Sequence, residues 1–167
     1  MEQSKDRVSI LQLIRDLNLR VEYMPEDSDF FVESEDVNRT GLPLAGYFEY
    51  FPYERIQIIG KTEFTYFENI DKDERRKRLD KFFSYEIPVL IVTRGLEISE
   101  DILEKAKKYK RAVLSSECST TRFINKLSNY LDNKLAPHVT LHGVLVDVYG
   151  IGMLITGESG IVKVKLP

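Results

Sequence analysis

Two short, unbroken apolar runs, Pro88–Val92 (PVLIV) and Ala112–Ser115 (AVLS), most constrain what this chain can fold into. A strand that is apolar without alternation suits a position buried on both faces, and parallel sheets covered by helices on both sides carry such strands. Each run leads into a helical pattern. Thr93-Arg94-Gly95 connects the first to a helix predicted at about 99–109. Ser119 stands where it can cap the helix after the second, in which Phe123, Ile124, Leu127, Tyr130 and Leu131 recur at helical spacing. Arg55–Gly60 (RIQIIG) reads as a further buried strand ending at a glycine. Strand and helix in alternation, with apolar strands, predict a small three-layer α/β sandwich with a mostly parallel sheet.

The flanking segments are less regular. Val8, Leu11, Ile14 and Leu17, joined by Ile10 and Leu13, give a helical stripe over residues 6–18. Val21–Tyr23 and Phe30–Val32 are short apolar segments separated by the turn-rich Pro25–Asp29. Thr62 with Glu63 starts a short helix, and Asp71–Phe83 reads as a charged helix whose polar residues form a solvated face. At Asn133–Pro137 the pattern changes, which predicts a domain over 1–134 and a second element over 135–167. Residues 138–149 alternate and then run apolar, and a Tyr149–Gly152 turn joins them to Met153–Thr156 in a β-hairpin. Strands of such an incomplete sheet, residues 138–156, are expected to pair with another chain or to be poorly ordered.

The totals exclude several classes. With 167 residues the chain is long enough for one cored domain, or a domain plus a fragment. A net charge of −3, with Lys and Arg spread among Asp and Glu, leaves no basic footprint for nucleic acid. Cys118 is the single cysteine, which rules out an internal disulfide and suits a reducing cytosol; it reads as an ordinary unpaired thiol. No apolar run approaches the roughly 20 residues of a membrane helix. Met1–Asp6 is charged and is not followed by a signal-peptide core, so the expected location is cytoplasmic.

After Met153–Thr156 comes Gly157-Glu158-Ser159-Gly160-Ile161-Val162-Lys163-Val164. A phosphate-binding loop of the type G-x-x-x-x-G-K-[ST] follows a strand and opens a helix. Gly157 and Lys163 are in register with that pattern, whereas Val162 replaces its second glycine and Val164 its hydroxyl residue. A β-branched residue disfavours positive φ and adds bulk where a phosphate approaches, and a valine offers no oxygen to Mg²⁺.

Leu135–Gly160, with its HGVLVD segment at His142–Asp147, closely resembles the start of the catalytic domain of bacterial HPr kinase/phosphorylase. Upstream, Arg39–Leu42, Leu44–Phe48, Phe51, Glu54–Gln57, Gly60–Glu63, Thr93–Gly95 and Ser119–Arg122 are similar to the N-terminal domain of that family. The resemblance implies an N-terminal domain like the substrate-binding domains of peptidoglycan-precursor ligases. It implies an activity that phosphorylates a serine of the phosphocarrier HPr with ATP or pyrophosphate and reverses it by phosphorolysis, in carbon catabolite repression. It implies a homo-oligomer, hexameric in the family, with HPr as partner. His142 matches the family's active-site histidine, Lys163 its loop lysine, and Gly157–Val164 its nucleotide loop in degenerate form. The family's proton-accepting aspartate has no counterpart in these residues, and its ATP and Mg²⁺ are not expected to be held by this chain alone.

Phosphoryl transfer rests on positioning and charge neutralisation, so loss of the metal ligand, the following helix and the base leaves the chain inactive as a kinase by expectation. Three readings stay open: the N-terminal portion of a truncated kinase, a stand-alone ligand-sensing or protein-interaction module, and a nucleotide-binding protein with a degenerate loop. Asp147, on an apolar strand, either accepts hydrogen bonds from the loop or faces solvent. Arg39, Arg55, Lys61, Arg94 and Arg122 fall near element ends. They either anchor loops or line one anion-accepting cleft, since loops at the carboxyl ends of parallel strands form the usual ligand crevice.

Overall fold

Backbone hydrogen bonding in the computed structural model follows the expected alternation, over described residues 7–26, 30–136 and 143–156. The chain forms two compact units, Met1–Ala136 and Pro137–Pro167. In the first, β1 (Val8–Ser9), α1 (Ile10–Leu17), β2 (Arg20–Tyr23), β3 (Phe31–Val32), β4 (Val37–Arg39) and α2 (Gly41–Leu44) precede the regular part. Then come β5 (Ile56–Ile59), α3 (Lys61–Glu68), α4 (Lys72–Ser84), β6 (Val89–Val92), α5 (Glu100–Tyr109), β7 (Ala112–Ser115) and α6 (Thr120–Leu135).

One five-stranded sheet has the order β2-β7-β6-β5-β4. Strands β4 to β7 are parallel, and β2 closes the edge antiparallel to β7. The three central strands are fully buried, which is why they show no alternation of apolar with polar residues. Alternate residues still serve different faces. Ile56, Ile58, Val89, Ile91, Ala112 and Leu114 pack with Leu13 and Leu17 of α1 and with Phe123, Leu127 and Leu131 of α6. Ile59, Leu90, Val92 and Val113 pack with Phe67 of α3, Phe82 and Phe83 of α4, and Ile102 and Ala106 of α5. Helices therefore cover both faces of a mostly parallel sheet, as the sequence pattern requires.

Several expectations change in detail. The helix expected over 6–18 starts only at Ile10, because Ser9 caps it: Gln12 N–H donates to Ser9 Oγ (3.2 Å) and Ser9 N–H donates to Gln12 Oε1 (3.1 Å). Val8 instead pairs with Val32 in a two-stranded ladder. Ser119 occupies the N-cap position of α6 but makes no side-chain capping bond. The charged helix α4 is not simply a solvated face. Arg75 and Arg76 donate to Asp101 of α5 (3.0 and 2.9 Å), and Asp80 accepts from Lys105, Lys108 and Tyr109 (2.9, 2.7 and 2.9 Å). Charge alternation that suggests solvent exposure here joins two helices.

The second unit contains the antiparallel hairpin β8 (Gly143–Val148) and β9 (Ile151–Thr156). Its turn is shorter than the four residues expected. Only Tyr149 and Gly150 lie outside the strands, both with positive φ (55° and 80°), the two-residue geometry that matches strand twist. Gly150 N–H donates to Asp147 Oδ1 (2.8 Å), so that aspartate takes the loop-bonding alternative.

Candidate functional site

At the carboxyl ends of the parallel strands the first unit has a crevice of about 700 Å³. Each strand delivers one wall. Arg39 ends β4, Lys61 opens α3 just after β5, Arg94 follows β6, and Thr120 and Thr121 open α6 after β7. The remaining wall is the polar face of α3, where Thr62, Thr65, Tyr66 and Asn69 recur at helical spacing. This is where an open parallel sheet places its ligands.

Buried hydroxyls brace the strand ends behind the crevice. Thr93 Oγ1 donates to the Ile59 carbonyl (3.1 Å) and lies 2.8 Å from Thr120 Oγ1, and Thr40 Oγ1 donates to the Ile58 carbonyl (3.3 Å). These bonds tie the ends of β4, β5 and β6 to the start of α6. Gly60 is required by space, because a Cβ there would stand 2.6 Å from Thr120 Oγ1. Its N–H donates to Glu63 Oε2 (3.1 Å), which satisfies the first turn of α3 internally. Glu63 also pairs with Arg39, so the buried carboxylate fixes that guanidinium at the rim.

Arg94 sits in the left-handed region with φ 68°, followed by Gly95 at 59°. Two backbone bonds hold this conformation: Arg94 N–H donates to the Cys118 carbonyl (2.9 Å) and Gly95 N–H to the Ser116 carbonyl (3.0 Å). The loops after β6 and β7 are thus locked together across the crevice. A non-glycine residue at positive φ costs conformational energy, and such residues concentrate at functional sites.

The five cations singled out in the sequence divide. Arg39, Lys61 and Arg94 share the crevice. Arg55 instead anchors a loop through Asp36 (2.9 Å), and Arg122 is exposed on α6 and is not among the lining residues. Sequence reasoning missed Thr62, Thr65, Tyr66 and Asn69, although their polar repeat along one helix face was the available signal. Cys118 is half-buried against the α1/α6 core. His142 and Gly157, Glu158, Ser159, Gly160, Ile161, Val162, Lys163 and Val164 lie outside the described residues. Among the described residues, no group of three or more His, Cys, Asp or Glu could hold a metal ion, and no helix is long and apolar enough to cross a membrane.

Fold and crevice together define an α/β domain with a mostly parallel sheet, whose carboxyl edge carries a crevice lined by Arg39, Lys61 and Arg94. A solved structure of similar fold is the regulatory region of Clostridium perfringens pyrophosphatase, its CBS and DRTGG domains complexed with the activator diadenosine tetraphosphate. The match has a TM-score of 0.52 and 18% identity, and covers 77% of this chain and 50% of that one. Residues 8–131 match the family described as HPr Serine kinase N terminus, and residues 133–166 match HPr Serine kinase C-terminal domain. The chain belongs to the HPr serine kinase family. It is 52% identical over 157 residues to the HPr kinase/phosphorylase of Peptoclostridium acidaminophilum, covering 94% of this chain and 51% of that protein. It is 52% identical over 158 residues to that of Caldanaerobacter subterraneus (95% and 52% covered), and 54% identical over 156 residues to that of Clostridium perfringens (93% and 50%). The chain thus spans about half the length of these relatives.

Proposed function

We propose that these residues are the N-terminal portion of an HPr kinase/phosphorylase: a regulatory and assembly domain over 1–134, followed by the opening strands of the kinase core over 135–167. The consecutive match to the family's two domain models carries this reading. In it, the complete protein is a cytoplasmic homo-oligomer that phosphorylates a serine of HPr with ATP or pyrophosphate and reverses the reaction by phosphorolysis. The N-terminal domain is of the type shared with peptidoglycan-precursor ligases. Its likeness in fold to a regulatory region, and the crevice it carries, support a regulatory role over a purely structural one.

In this reading His142 belongs to the active site, and Lys163 supplies a point charge to the outer phosphates. By residue type, Gly157–Val164 do not fit a Mg²⁺-bound nucleotide: a valine at 164 brings no side-chain oxygen for the metal, and a β-branched residue at 162 disfavours the positive φ that a loop glycine allows.

Two preparations test the reading. The 167-residue chain, incubated with HPr and either ATP or pyrophosphate, is expected to leave HPr unphosphorylated. A chimera joining residues 1–156 to the remainder of the Clostridium perfringens relative is expected to phosphorylate a serine of HPr. In that chimera, His142→Ala should lower the rate by roughly 10²-fold or more. An inactive chimera beside an active parent, both folded, would sink the proposal.

A further inference from the structure

We infer that a second cavity, at the amino edge of the same sheet, binds a basic amino acid. Tyr53, Glu54 and Glu86 take its cationic side chain, and Arg111 takes its carboxylate. This goes beyond the kinase reading and does not depend on it.

Topology places the cavity. The segments that enter the parallel strands meet at the edge opposite the crevice: Tyr53 and Glu54 precede β5, Glu86 precedes β6 and Arg111 precedes β7. Phe30 and Phe31, at the entry to β3, add aromatic walls. These walls are held from behind. Gln57 Nε2 donates to the Pro52 and Arg55 carbonyls (2.9 and 2.8 Å), which fixes the loop bearing Tyr53 and Glu54. Arg111 N–H donates to the Ala106 carbonyl (2.9 Å), just after Lys110 ends α5 in the left-handed conformation (φ 52°). A preformed cavity spares a ligand the cost of ordering its walls.

Charge gives the first half of the ligand. The cavity is lined by three carboxylates, Glu33, Glu54 and Glu86, and by one guanidinium, that of Arg111. Glu54 and Glu86 make no hydrogen bond or ion pair among the described residues, whereas carboxylates that brace this fold, such as Asp80 and Asp101, are paired. Two uncompensated carboxylates on one concave surface focus a negative potential. The rings act in the same direction, because an aromatic face attracts a cation. Phe31 already has the guanidinium of Arg7 4.0 Å from its ring centroid, so a ring of this wall accepts that group.

Arg111 gives the second half. Its Nε is shielded from water and has no hydrogen-bond partner, and its terminal nitrogens make no hydrogen bond or ion pair among the described residues. A half-buried guanidinium without a counter-ion carries a desolvation cost that a carboxylate offsets. Docked end-on at the two terminal nitrogens, a carboxylate forms a pair of charge-assisted hydrogen bonds. A carboxylate at one end and a cation on an apolar stem at the other define a basic amino acid. The cavity, about 490 Å³, is of a size that takes a small organic molecule.

Calorimetric titration of the 167-residue chain with arginine, citrulline and agmatine tests the inference. Citrulline keeps the shape of arginine without its side-chain charge, and agmatine lacks the carboxylate. Saturable binding of arginine is expected, with citrulline and agmatine each at least roughly tenfold weaker. In the double variant Glu54→Gln/Glu86→Gln, arginine should bind no more tightly than citrulline. Both glutamates are exposed, so the melting temperature of that variant should match the parent's, which separates lost binding from lost folding. In Arg111→Gln, arginine should bind no more tightly than agmatine, and agmatine binding that persists shows the variant to be folded. No saturation by arginine overturns the site. Equal affinities for arginine and citrulline overturn the cation subsite, and equal affinities for arginine and agmatine overturn the role of Arg111. Saturation that both variants leave unchanged overturns the site as well, by placing the ligand elsewhere. Failure here leaves the chimera assay untouched.

Discussion

Gln57 is fully buried in the middle of a parallel sheet, yet its polar atoms are accounted for. Its Nε2 donates to the Pro52 and Arg55 carbonyls (2.9 and 2.8 Å), and its Oε1 accepts from Asn38 Nδ2 (2.8 Å). It fastens β4 and the 52–55 loop to β5. Gln57→Ala strands two carbonyls and an amide, so chemical denaturation should show a loss of about 1–3 kcal/mol. Asp80 makes a pH-dependent contribution. Hydrogen bonds from Lys108, Lys105 and Tyr109 hold its carboxyl well below the usual range, against a smaller opposing effect of burial. A folded-state pKa below the unfolded value gives stability that is present above about pH 4 and is lost as pH falls through the folded value. Asp80 is over a third exposed, so solvent screening limits the effect. Asp80→Asn should cost about 0.5–1 kcal/mol at pH 7, and the gap to the parent should narrow below pH 4 in pH-stepped denaturation. An unchanged gap at low pH would contradict this linkage. None of these partners was legible in the sequence, because Asp80 and Lys105 come together only when α4 lies against α5.

Elements repeat the lesson with larger energies. The α4–α5 contact centres on Asp101, whose carboxyl is pushed up by burial but held below its usual value by hydrogen bonds from Arg76 and Arg75. Removing it leaves the largely buried Arg75 without that partner. Asp101→Ala should cost about 3–5 kcal/mol, far more than a surface substitution on the same helix, as measured by urea unfolding. On the other face, Tyr130 of α6 donates to Asp16 of α1 (2.9 Å), and burial together with that bond pushes its hydroxyl up to about 12. The hairpin β8–β9 is a different kind of element. Val144, Val146 and Val148 stand across from Ile155, Met153 and Ile151, an apolar face largely exposed. Leu145 and Leu154, paired on the opposite face, are more than half exposed too. Two strands alone are marginally stable. The hairpin amides should exchange with deuterium well before those of β5 to β7, and equal protection would contradict this. The hairpin was predictable from alternation. Its two-residue turn was not, because Tyr149 adopts a positive φ that its side chain does not advertise.

For the whole molecule, both core clusters lie within residues 8–135. A chain ending at Ala136 should therefore fold cooperatively with a melting temperature near that of the 167-residue chain. Sedimentation should show the longer chain associating more strongly with rising concentration than the shorter one, since the exposed apolar strands 143–156 are absent from the latter. Association of both alike would place the contact elsewhere. The sequence alone determined the layered α/β architecture, because strands buried on both faces must be apolar throughout and their helices must show a 3.6-residue period. It also carried the family, in motifs local enough to be quoted residue by residue. Tertiary structure alone decided which cations share the crevice, that α4 is seamed to α5, and that α3 contributes a polar wall. Those facts depend on side chains far apart in the sequence meeting across strand order, as Ser115 meets Glu22 93 positions away and Thr120 meets Thr93 27 positions away, and local periodicity carries no record of strand order.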